Sequence, residues 1–95
     1  EDYFIDCNNF HWLTRSRVNL FSKEVTAIEK SKTLKLLFIK KSDDEGAEFY
    51  FMGEVTHKRS IGSSIMNNGQ ELSIVEILYA MNVPVEPKLY KYFEG

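Results

Sequence analysis

The chemistry-bearing residues of this sequence are few, and their spacing narrows what they can do. Cys7 and His11 stand within one turn or strand of each other, and His57 could join them in space. Cysteine and histidine at short spacing are zinc ligands because each offers a lone pair when deprotonated, but a structural site uses four of them. One cysteine and two histidines fall short of that count, so neither a metal nor another cofactor is expected. The enzymatic version of the same constellation, a Cys–His nucleophile, needs a thiolate in an electropositive pocket and a third orienting group. No residue pattern marks such a pocket. Nucleophile elbows, phosphate loops, dinucleotide fingerprints and zinc-protease motifs are all missing from the sequence. Asp43, Asp44 and Glu45 are adjacent in a polar turn, where successive side chains diverge and cannot form a catalytic pair. The chain is not expected to be an enzyme by itself.

Two stretches have the makings of a nucleic-acid contact. Arg15 and Arg17 follow closely on His11, Trp12 and Thr14. Guanidinium groups fork onto phosphates, while an aromatic face stacks on an unpaired base. The second stretch is His57-Lys58-Arg59-Ser60, continued by Ile61-Gly62-Ser63-Ser64, in which cations and hydroxyls meet a backbone able to approach sugar and phosphate closely. The ordinary alternative is Trp12 in the core and the cations as solvated surface. A DNA role requires the two clusters to converge into one cationic, aromatic-floored surface.

The elements that must position these residues read as mainly strands. Tyr3 to Ile5 is a short strand. Phe10 to Arg15 is a second, with Phe10, Trp12 and Thr14 on one side of the pleat and His11, Leu13 and Arg15 on the other. Residues 16–31 give a mixed signal, helical turn or polar-flanked strand. Leu34 to Lys41 is a nearly continuous apolar run, and Phe49 to Thr56 follows after the acidic turn 42–46, so the two should pair as an antiparallel hairpin. Gly53, inside the second of these, suggests a bulge. Residues 57–69 are too polar for core and read as a long functional loop. Leu72 to Met81 is ambiguous by period, but Ile74, Val75 and Ile77 favour a strand. Pro84 and Pro87 interrupt regular structure, and residues 88–93 suit one closing helical turn.

The totals agree with one small β domain over residues 1–95. A chain of 95 residues buries about two thirds of the surface that its unfolded form exposes. The apolar share is 43% and the aromatic share 14%, too high for a disordered tail and suited to strands. A formal charge of −2 gives no overall attraction to phosphate, so any nucleic-acid role must rest on a local patch. With a lone cysteine there is no internal disulfide, which fits a reducing, cytoplasmic setting. No apolar run approaches the ~20 residues that span a bilayer. The start, Glu1-Asp2-Tyr3-Phe4, is unlike a targeting peptide and lacks an initiator Met, which suggests a piece of a longer chain.

The blocks Phe10-His11-Trp12, Leu36-Leu37-Phe38-Ile39-Lys40 and Tyr50-Phe51-Met52-Gly53-Glu54-Val55, followed by Ser60-Ile61-Gly62-Ser63 and Val83-Pro84, resemble in order and spacing a bacterial family. It is the domain of unknown function numbered thirty-four twenty-seven, found at the C-terminal end of DEAD-box helicase-like proteins. Many of those proteins also carry a phospholipase-D-type nuclease domain, and some look like type IV, modification-dependent restriction enzymes. The resemblance covers residues 10–92 but only the final part of the family domain. It departs at Leu13-Thr14-Arg15, where the family usually has Gln-Ser-Gln, and at Ile65-Met66, where a Pro-Met pair is common.

The resemblance implies a β-barrel-like or strongly curved antiparallel sheet, similar to the SRA and PUA-like base-reading domains, with one or two short helices. It also implies a DNA-recognition module, for modified bases in some cases, attached to helicase and nuclease domains of the same chain. On that footing Trp12 shapes a pocket or core, and His11, Thr14 and Arg15 project toward the ligand. Lys58, Arg59, Ser60 and Ser63 would contact phosphates. The competing expectation is an interaction module that packs against the helicase motor domains through an exposed apolar patch.

Overall fold

The structure, a computed structural model, describes residues 2–30, 32, 34–40 and 49–94. Five strands and two short helices run in the order β1 (Tyr3–Asp6), β2 (Asn9–Leu13), α1 (Lys23–Lys30), β3 (Lys35–Ile39), β4 (Tyr50–Asn67), β5 (Gln70–Met81) and α2 (Pro87–Glu94). All neighbours pair antiparallel, in the spatial order β1-β2-β5-β4-β3. The sheet curls into a half-barrel, in line with the mainly β, strongly curved fold expected.

The curl has a local cause in β4. Leu37 faces Gly53 while Phe38 faces Phe51, so Met52 is an extra residue on the β4 side. Gly53 takes a φ of 110° there, a conformation that L side chains rarely adopt. The bulge expected at Gly53 is therefore present. A second one lies further on: His57 faces Tyr79 and Arg59 faces Leu78, leaving Lys58 unpaired. Each bulge bends its strand and increases the local twist. Two on one strand turn a flat sheet into a trough.

Alternation assigns the inner face of the trough. Phe10 and Trp12 of β2 lie opposite Tyr79 and Ile77 of β5, and Leu37 and Ile39 of β3 reach the same core as Phe4, Phe10, Met52, Val55, Met81 and Val85. β2 and β3 are separated by two strands, so their side chains can meet only on the concave side. Helix α2 covers one end with Leu89, Tyr90 and Phe93. Pro87 opens this helix, a position where its fixed φ helps and its missing N–H costs nothing, and the closing helical turn expected at 88–93 lies within it. Helix α1 covers the other end, where Val25 and Ile28 pack with Val18, Val75 and Ile77. Trp12 and Tyr79 touch both clusters and join them.

Two expectations need correction, and one open reading is resolved. Residues 57–69 are not a loop: 57–67 form the outer part of an 18-residue strand, and Asn68-Gly69 is the two-residue turn into β5. Positive φ at both turn residues, 52° and 76°, is what a tight hairpin of the primed type requires. The second strand ends at Leu13, not Arg15. Beyond it Thr14 and Arg17 continue along β5 through single bonds, the Thr14 N–H to the Val75 carbonyl (3.0 Å) and the Arg17 N–H to the Ser73 carbonyl (2.7 Å). Finally, the mixed stretch resolves as helix from Lys23, with the Ser22 carbonyl accepting the first bond from the Thr26 N–H. The strand expected at 72–81 and the hairpin of the third and fourth strands are present. The acidic turn 42–46 lies outside the described residues.

Candidate functional site

Two clefts open on the concave face. The first, of about 470 Å³, is walled by α1 (Ala27, Ile28) and by Leu34, Lys35, Leu36, Leu37 and Val55, with Phe10, Trp12 and Tyr79 as its aromatic surface. The second, of about 480 Å³, shares Phe10, Trp12 and Leu37 and runs between β1 and the end of β3, where Lys40 and Glu94 stand. Trp12 is thus half-buried, part core and part cleft wall. Tyr79 is similarly placed, and burial pushes its phenol above the ordinary tyrosine range.

The residues singled out from the sequence divide between two faces because strand neighbours point opposite ways. Trp12 is concave; His11 is convex. The His11 ring is buried, stacked on Tyr3 with centroids 4.6 Å apart, and its Nε2 lies 2.9 Å from Oε1 of Glu76. Thr14 is a brace: its hydroxyl accepts the Val75 N–H at 2.9 Å and donates to the Arg15 carbonyl at 3.1 Å. Arg15 forks onto Glu24 of α1, which raises the guanidinium's pKa through that hydrogen bond and the charge behind it. Arg17 is exposed at a φ of 68°.

The second cluster comes alongside the first, but on the outside. Register places His11 and Arg59 on either side of Leu78. Lys58, freed by the bulge, donates from Nζ to the Asn9 Oδ1 at 3.0 Å. Its charge adds slightly to what holds the nearby Asp6 carboxyl below its ordinary value, which is chiefly the Asn8 N–H and then the Asn9 side chain. Ser63 is exposed and pairs in register with Ile74. Ser60 turns inward to His57, its Oγ 2.8 Å from Nε2, a contact that ties the two ends of the second bulge together. The expected single surface, cationic and floored by the indole, is therefore not formed. Arg59 and the indole lie on opposite sides of one sheet, and Arg15 is taken up by Glu24.

The cleft residues that sequence reasoning did not nominate are Tyr79, Lys35 and Lys40. Their signal was present but long-range. Tyr79 is visible only once β5 is set in register against β2, and Lys35 and Lys40 flank the apolar run that became β3. Among the described residues no group of three or more His, Cys, Asp or Glu side chains is placed to hold a metal ion, and no helix is long and apolar enough to cross a membrane.

The pattern of the Domain of unknown function (DUF3427) family matches residues 1–93. The chain belongs to this family. The match takes in all five strands and most of α2, so the aromatic cleft lies wholly inside the family domain. No curated protein sequence matches the chain.

Proposed function

We propose that this family member is a non-catalytic DNA-recognition module of a larger helicase- or restriction-type enzyme, placed at the C-terminal end of that enzyme and working in the cytoplasm. In this reading an unstacked base, modified or not, enters the concave cleft. The observation that carries it is the aromatic surface of that cleft, offered by the half-buried Trp12 and Tyr79 over buried Phe10, in a space of about 470 Å³ with Lys35 in its wall. Stacking of a base on an aromatic side chain contributes about 1–3 kcal/mol and tolerates any base, because every base has a π face. The exposed cations Lys58, at the second bulge, and Arg59, on the convex face, are then placed to track a phosphate strand that passes round the sheet.

The test is a titration of the 95-residue chain with labelled duplexes, modified and unmodified, and with single strands, at several salt concentrations. Binding should weaken with salt with a shallow slope of about −2 on logarithmic axes, since few phosphates are neutralised. No binding at any salt concentration would overturn the reading.

A second reading is favoured by a specific observation on the convex face. Phe38 and Phe51 are 55% and 58% exposed, and their rings lie 5.2 Å apart. Contiguous exposed apolar side chains mark partner surfaces, here for packing against the motor domains of the parent enzyme. Phe38→Asp should then abolish capture by those domains and leave DNA titration unchanged.

A further inference from the structure

Inside the cleft, three lining side chains carry polar atoms: Lys35, Trp12 and Tyr79. Lys35 has an interaction partner. No hydrogen bond joins the Trp12 indole N–H or the Tyr79 hydroxyl to any described residue; Tyr79 makes an edge-on ring contact with His57, centroids 6.5 Å apart. Yet the described residues contain no fully buried side-chain nitrogen or oxygen without a partner. Neither atom is therefore sealed from solvent, and both residues line the cleft. Elsewhere in the sheet the half-buried polar groups are matched: His11 with Glu76, His57 with Ser60, Thr14 with Val75. An indole N–H is a donor and nothing else, whereas a phenol can donate or accept. Tyr79 stays neutral well into alkaline solution, because its pKa lies above the ordinary value.

We propose that the cleft selects a neutral planar heteroaromatic ring of the nucleobase class by its polar edge, with the Trp12 N–H donating to an acceptor on that edge and the Tyr79 hydroxyl as the specificity-determining partner. This rests on the DNA reading, and adds that the base is read as well as stacked. Leaving a built donor or acceptor unmatched is what makes a site discriminate. A ring that stacks but offers no matching edge forfeits the hydrogen bond.

The probes are short single strands that carry one base of defined type between abasic sites, and one strand that carries a non-polar ring of thymine's shape. Binding is followed by fluorescence of Trp12, the sole tryptophan. The intact chain should prefer at least one natural base over the non-polar ring by about 5- to 10-fold, the size of one net hydrogen bond. Tyr79→Phe, which keeps the ring and the packing, should hold its melting temperature and its affinity for the non-polar ring while the preference collapses. If strands bind but Tyr79→Phe keeps the full preference, or the intact chain has none, the inference fails and the DNA reading stands. If no strand alters Trp12 emission or binds by an independent label, both fall.

Discussion

The concave and convex faces of β2, β5 and β4 are built from alternate residues of the same three strands, and polar groups on them meet one of two fates. Some are paired within the sheet, His11 with Glu76 at 2.9 Å on the convex face and His57 with Ser60 at 2.8 Å on the concave face. On the concave face the Trp12 indole N–H and the Tyr79 hydroxyl lack protein partners and border a cleft. The first arrangement satisfies a desolvation cost locally and needs no ligand. The second leaves a donor and a hydroxyl that a ligand in the cleft can match. Residue type alone, a histidine and an arginine against a tryptophan and a tyrosine, does not separate a site from a brace. Pairing does.

The sharpest way to break this comparison is to truncate matched isoleucines on each face. Ile77 is fully buried on the concave side, and Ile77→Ala should cost about 3 kcal/mol in urea unfolding. Ile61, 38% exposed, should lose under about 1 kcal/mol on the same change. Equal losses would mean that both faces are core. Next in size is the hinge that creates the two faces. Gly53→Val should cost about 1–3 kcal/mol, because a β-branched residue must hold a φ of 110°. Space is not the obstacle there, since a Cβ would meet only the end of Met81 at 3.9 Å.

A smaller effect is expected from Glu76→Ala, which removes the carboxylate beside buried His11. Stability should fall by about 1–2 kcal/mol while base binding is unchanged, as a convex brace requires. A loss of binding with no loss of stability would turn the brace into a site. The smallest effect is in alkali. The folded-state pKa of Tyr79 is raised, so its contribution is complete below the unfolded tyrosine value, about 10. It is lost as pH climbs through the folded value. Thermal stability measured between pH 8 and 11 should therefore dip at the alkaline end, and the dip should be absent in Tyr79→Phe.

Much of this architecture is legible in the sequence because one face of each core strand is buried. Phe10 and Trp12 alternate with His11 and Leu13, the apolar run at 34–41 finds its partner across an acidic turn, and Gly53 marks its own bulge. The outer half of β4 escaped for the converse reason. Residues 61–70 are exposed on both sides, so no alternation is imposed on them, and Ser60, Gly62, Ser63 and Ser64 are poor strand formers. The decisive local signal was Asn68-Gly69, the strongest short-range mark of a hairpin. It fixes the register as well: paired numbers sum to 137 from Asn67–Gln70 to Arg59–Leu78, and to 136 from His57–Tyr79 onward, the missing unit being Lys58. Helix α1 was too short to show a period, with Val25 and Ile28 as its inward residues. The cleft could not be read locally, because its walls come from five elements that only the curl brings together.

Chemical-shift mapping on addition of a short single strand tests the central claim most directly, that the concave aromatic cleft and not the convex face receives the base. The indole N–H resonance of Trp12 and the amide of Tyr79 should move, while the amides of Phe51 and Ile61 stay still. Saturable shifts confined to the convex residues, with the Trp12 indole signal unmoved, would contradict it.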